Sequence, residues 1–96
     1  MPAYLIVEID ITDAAGFEDY RERVPATIDR YGGRFLARGG MLETLEGTWT
    51  PKRIAVVEFP SVDQARRWYD SEEYRELKAL RHRTSRGSIV VVEGVG

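Results

Sequence analysis

Residues 3–11 read Ala-Tyr-Leu-Ile-Val-Glu-Ile-Asp-Ile. The run is β-branched and aromatic, and it is long enough for a strand. Side chains alternate across a strand, so Leu5, Val7, Ile9 and Ile11 share one wholly apolar face. Tyr4, Ile6, Glu8 and Asp10 share the other face, which is mixed. Such a strand belongs to a sheet covered on one side, and the rest of the chain must supply the cover.

Thr12 and Asp13 offer helix N-caps. Phe17, Tyr20, Val24, Ile28 and Tyr31 then recur at helical spacing, the apolar stripe of an amphipathic helix. Pro25 lies inside that stripe and is expected to kink or split the helix. Gly32-Gly33 ends it. Residues 34–38 predict a short strand, with Phe35 and Ala37 on one face and Leu36 and Arg38 on the other. Gly39-Gly40 interrupts it, and residues 41–46 offer a continuation after a bulge. Residues 47–51 read as a turn or loop. Residues 53–59 predict a third strand, ended by Pro60. Ala55, Val57 and Phe59 share one face of it; Ile54, Val56 and Glu58 share the other. Ser61 and Gln64 form a capping box for a helix through Val62, Ala65, Trp68 and Tyr69. Asp70-Ser71 starts a second helical piece with Tyr74, Leu77 and Leu80 as its stripe, and Gly87 is expected to stop it. Residues 88–93 predict the last strand.

The order is β-α-β-β-α-β, in a single domain over residues 1–96. Two crossovers in so short a chain predict an α+β fold, a ferredoxin-like sandwich with a four-stranded antiparallel sheet and helices on one face. Strands one and three then lie side by side at the centre, with right-handed crossovers.

In this arrangement the helices cover Leu5, Val7, Ile9, Phe35, Ala55, Val57 and Phe59. The opposite face carries Tyr4, Ile6, Leu36 and Val56 together with Glu8, Arg38 and Glu58. It is too apolar for plain solvent surface and too charged for plain core. An exposed patch of this kind marks an interface or a binding groove. A homodimer that pairs sheet to sheet is the simplest cover. Central strands side by side are expected to bring Glu8 near Glu58, so that one holds its proton, with Arg38 available to neutralise the pair. The functional reading is an acid/base pair or an anchor for a small polar ligand. The structural reading is an ion network locking a dimer.

Composition limits the alternatives. Fourteen basic residues stand against 16 acidic, a net charge of −2. A nucleic-acid binder needs a basic surface, so nucleic acid is not an expected partner. No apolar run is long enough to span a membrane. The opening residues lack a leader pattern, so a cytoplasmic location is expected. There is no Cys and only one His, so no metal cluster is expected around His82. No phosphate loop or other cofactor motif is present, and no cofactor is expected. Twelve of the 14 basic residues are Arg, the residue suited to bidentate grip on carboxylates; codon usage explains such a bias as well. Gly39 and Gly40 after Arg38 could open backbone amides to an anion, or bend the sheet. His82 ends a helix, where a cation complements the dipole. Trp49 sits in a loop and suits either a partner surface or local packing.

Several segments together carry a family likeness: residues 1–10, then Tyr31-Gly-Gly33, Arg38-Gly-Gly40, Leu45-Glu-Gly47, Val57-Glu-Phe-Pro60, and Trp68-Tyr-Asp-Ser-Glu-Glu-Tyr74 with Leu77-Lys78 and Arg81. Across nearly the whole chain the sequence resembles the domain of unknown function 1330 family. The resemblance implies a dimeric α/β-barrel, a ferredoxin-like protomer paired sheet to sheet, and no settled reaction. More distantly it is similar to antibiotic-biosynthesis monooxygenases, muconolactone-isomerase-like proteins and stress-responsive barrel proteins. By that analogy residues 70–74 lie near a cleft mouth. The histidines and asparagine-containing motifs those relatives use have no clear match here.

The resulting expectation is a homodimer that binds a small organic or carboxylate-bearing molecule in a cleft on the open sheet face. Glu8 or Glu58 would be the acid/base, Arg38 with Gly39 and Gly40 the anion partner, and Tyr74 a positioning group. Any chemistry would be cofactor-independent proton transfer or oxygenation. The rival expectation is a non-enzymatic dimeric module, structural or regulatory, whose charged face is an interface lock.

Overall fold

Alternation along the first strand sets the architecture. In the computed structural model, which describes residues 1–95, β1 (Ala3–Ile11) buries Ala3, Leu5, Val7 and Ile9 and leaves the intervening residues half-covered. Helix α1 (Ala14–Arg30) follows. Asp13 caps it by accepting from the Gly16 amide, and Phe17, Tyr20, Val24 and Ile28 form its buried stripe. Gly32 and Gly33 close it, donating to the carbonyls of Asp29 and Ile28.

Pro25 does not split α1, which runs through it as one element. Proline removes the amide that would bond to the carbonyl four residues back. That carbonyl belongs to Arg21, and the guanidinium of Arg38 donates to it instead. A long-range donor replaces the one that proline removed.

Strand β2 (Arg34–Arg38) pairs with β3 (Ile54–Phe59), β3 with β1, and β1 with β4 (Ser85–Glu93), all antiparallel, in the order β2-β3-β1-β4. Strands one and three are central, as the ferredoxin-like reading requires. Residues 41–46 do not continue β2; they belong to the loop between β2 and β3. Helices α2 (Val62–Tyr69) and α3 (Glu72–Thr84) are two pieces, capped by Ser61 and Ser71. Gly87 does not stop α3. The helix ends at Thr84, β4 begins at once, and Gly87 faces Ile9 within the sheet. A Cβ at Gly87 would fall 1.8 Å from the Glu8 carbonyl oxygen, so glycine is needed there for backbone approach.

The core lies between the inner sheet face and the helices. Val57, Phe59, Trp68 and Tyr74 are its largest fully buried side chains. Trp68 stacks on Tyr74 with ring centroids 4.0 Å apart, and Phe59 meets Trp68 at 5.7 Å. Among the described residues no helix is long and apolar enough to cross a membrane.

Candidate functional site

The open face does not assemble the expected carboxylate pair. Glu58 lies opposite Tyr4 and Glu8 opposite Ile54. They are therefore four residues apart along the strands, roughly 13 Å at the rise of a strand. Neighbouring strands leave register undetermined, and the register separates them. Each is engaged separately. Glu58 accepts from Arg34 Nε at 2.8 Å, and Glu8 accepts from Trp49 Nε1 at 3.1 Å. Trp49 thereby ties the long loop to the sheet.

Arg38 is also displaced from its expected face. Phe35 pairs with Val57, but Ala37 pairs with Val56 and Arg38 with Ala55. One extra residue, Leu36, is inserted, and beyond it inward and outward exchange. Arg38 therefore turns toward the helices, not between the two glutamates. Its guanidinium lies 4.6 Å from the Phe35 ring centroid and bonds to the Arg21 carbonyl. Burial lowers its pKa from the ordinary arginine value, and the neighbouring Arg21 and Arg53 add to that. The charge is held where an anion would relieve it.

Gly39 adjoins Arg38 in a left-handed conformation (φ 68°), and a Cβ there would meet Arg53 Nη2 at 2.7 Å. Glycine thus lets the Arg53 guanidinium approach the chain. The Gly39 amide already bonds to the Ile54 carbonyl, so it is not free for an anion. Gly40 stands in open space.

Tyr74 is fully buried and not at a cleft mouth. Its hydroxyl lies 2.8 Å from that of Tyr20 and accepts from Arg81 Nε at 3.2 Å. Burial raises the pKa of both phenols, and for Tyr20 the neighbouring Tyr74 adds to it; Arg81 opposes the shift at Tyr74. Both stay protonated through the ordinary pH range. Residues 70–74 therefore divide: Ser71 and Tyr74 are core, while Asp70 is exposed.

Tyr20, Arg38 and Gly39, but not Tyr74, line a cavity of about 50 Å³ between the inner sheet face and α1. Leu5, Val7, Val24, Val57 and Trp68 are among its apolar walls, with Tyr20 beside them. Arg21, Arg38, Gly39 and Arg53 also line it. Arg21 reaches Glu18 at 3.8 Å. Arg38 and Arg53 have no carboxylate within ion-pair distance among the described residues. Sequence reasoning missed Tyr20, Arg21 and Arg53. Tyr20 read as one more core aromatic, and its hydroxyl, which needs a partner when buried, was the available signal.

The family model of the domain of unknown function DUF1330 matches residues 2–95. Among solved structures, the chain is similar to RPA0582 from Rhodopseudomonas palustris, a protein of unknown function. The match has TM-score 0.79 at 16% identity and covers 99% of this chain and 83% of that one. It is similar to SnoaB from Streptomyces nogalater, a cofactor-independent oxygenase, with TM-score 0.68 at 14% identity over 99% and 94% of the chains. Rv0793 from Mycobacterium tuberculosis matches with TM-score 0.60 at 14% identity over 100% and 97%. At these identities the likeness establishes the fold. No curated protein matches.

Proposed function

This chain belongs to the DUF1330 family, and on that premise we propose that it is a homodimer whose protomers each bind a small carboxylate-bearing molecule beneath the inner sheet face. The ligand site moves from the open face to the helix side because Arg38 does. The observation that carries the reading is the pair of arginines without carboxylates, Arg38 and Arg53, at a small apolar cavity. A short apolar tail would fill the cavity, and its carboxylate would lie against the guanidinium groups, where a bidentate grip is strongest.

Glu8 and Glu58 take the interface role in this reading. Both are separately engaged on the open face, beside half-covered Tyr4, Ile6 and Val56 and exposed Leu36, Val90 and Val92. A second copy placed on that face would cover the apolar patch. If the protein is an enzyme, the chemistry is proton transfer or oxygenation without a cofactor, the latter being the class named for SnoaB. Tyr20 would then supply a protonated hydroxyl beside the ligand.

The test is a titration of the full chain with butyrate and with its neutral amide, followed by amide NMR shifts. Butyrate should bind about tenfold more tightly than butyramide, with shifts centred on Gly39, and Arg38→Ala should remove the difference. Equal binding of the two compounds, or unchanged preference in the variant, sinks the reading.

A further inference from the structure

A second and larger cavity, of about 580 Å³, opens where the helix layer stops short of β4. Its volume is that of a site for a small organic ligand. Leu5, Ala65, Ile89 and Val91 give it an apolar floor. Arg66 and Arg81 supply positive charge, against a single acid, Asp70, while Arg86 adjoins the cavity at a strand position opposite Asp10 of the open face.

Arg81 is the unusual member. It occupies a position on the buried stripe of α3 with Tyr74, Leu77 and Thr84, and it is only 5% exposed. A charge so buried is ordinarily paired. Here no carboxylate lies within ion-pair distance among the described residues. Its Nε donates to the Tyr74 hydroxyl, and its Nη2 lies 3.1 Å from Nε2 of His82. Nη1 has no protein acceptor among the described residues. No enclosed side-chain nitrogen among the described residues lacks a partner, so Nη1 is not sealed in the packed core, and Arg81 lines the cavity.

Six of the exposed arginines are paired within the chain. Arg21, Arg23, Arg30, Arg34, Arg67 and Arg75 all have carboxylates. Of the arginines left without one, Arg38 and Arg53 line the first cavity and Arg66, Arg81 and Arg86 line the second; only Arg83 lies apart. Unpaired cations concentrated at hollows call for a counter-charge from outside the chain.

We propose that the second cavity is a binding site for an organic carboxylate larger than the first can hold. The guanidinium of Arg81 meets the carboxylate, Arg66 flanks it, and the apolar body lies along Ile89 and Val91. The planar, multiply donating guanidinium suits that role, since two of its nitrogens are already fixed by protein partners and the third is oriented by them.

The experiment titrates the full chain with 4-phenylbutyrate and with its neutral amide, read by amide NMR shifts. The acid should give saturable shifts at Ser85, Arg86 and Gly87, and the amide should bind at least about tenfold more weakly. Arg81→Lys should lose most of that preference. Because Arg81 also holds Tyr74, a second variant, Arg66→Ala, tests the site through an exposed residue and should weaken the acid several-fold. Arg38→Ala should leave this binding unchanged, which separates it from the first cavity. Equal affinity for acid and amide overturns the proposal. So do the absence of saturable binding and shifts confined to the surroundings of Gly39.

Discussion

The two faces of this one sheet hold their charges in opposite ways. On the open face Glu58 and Glu8 have donors in the same chain, Arg34 and Trp49 respectively. On the helix-covered side Arg38, Arg53 and Arg81 have no carboxylate within ion-pair distance among the described residues. A satisfied charge beside apolar surface serves as a specific lock when that surface is covered. A cation without a carboxylate beside a hollow suits the anion site proposed above. On the proposed reading, one strand alternation divides the molecule into a face for another protein copy and a face for small molecules.

The comparison breaks most severely at the open face. With Val56→Lys and Val90→Lys, two cations without partners would be buried in the proposed dimer contact. The dimer dissociation constant should rise about 100-fold or more, equivalent to roughly 2.7 kcal/mol, while the protomer stays folded. Light scattering over a concentration series, with circular dichroism for folding, reads both quantities. A wild-type chain that is monomeric at micromolar concentration refutes the open face as a dimer surface.

A smaller effect sharpens the inner side. Arg38 replaces the donor that Pro25 denies to the Arg21 carbonyl. Arg38→Ala should cost about 1 kcal/mol, the usual worth of such a bond. Pro25→Ala restores the helix amide and should stabilise the protein. In that background the cost of Arg38→Ala should fall by about 1 kcal/mol, because the carbonyl has a partner again. Urea denaturation of the four proteins in this cycle measures the coupling. If the two costs are equal, proline and arginine are not linked.

Where sequence reasoning succeeded and where it failed follow from the same period-two rule. The alternation of Leu5, Val7 and Ile9 is confirmed by their burial, and it was enough to assign the covered face of the first strand. Arg38 was assigned to the wrong face because a bulge at Leu36 reverses alternation. The segment Phe35-Leu36-Ala37 has no glycine or proline to signal it, and the neighbouring Gly39-Gly40 drew attention instead. Glu8 and Glu58 were set together because order is legible from connectivity, whereas register depends on long crossovers that fix no offset. Arg81 was overlooked as part of a basic helix end. Its position on the stripe of Tyr74 and Leu77 was visible, and an arginine at an apolar position was the signal to follow.

The smallest effect concerns His82, which faces the buried guanidinium. The sequence placed a cation there to complement the helix end, but the surroundings oppose one. Partial burial lowers its pKa below the ordinary 6.5, and Arg81 and Lys78 lower it further. In the neutral form Nε2 can accept from Arg81 Nη2. The folded state therefore takes up the proton at lower pH than the unfolded chain does. Stability from this group is present above pH 6.5 and is lost as pH falls through the histidine range. His82→Gln retains a side-chain acceptor without titrating. Its stability, compared with the wild type by urea denaturation at pH 7.5 and again just below 6, should therefore decline less. If both proteins decline equally, the imidazole is not held neutral by Arg81. The unpaired charge of that arginine would then not extend to its nearest neighbour, and the contrast between the two faces would rest on the cavities alone.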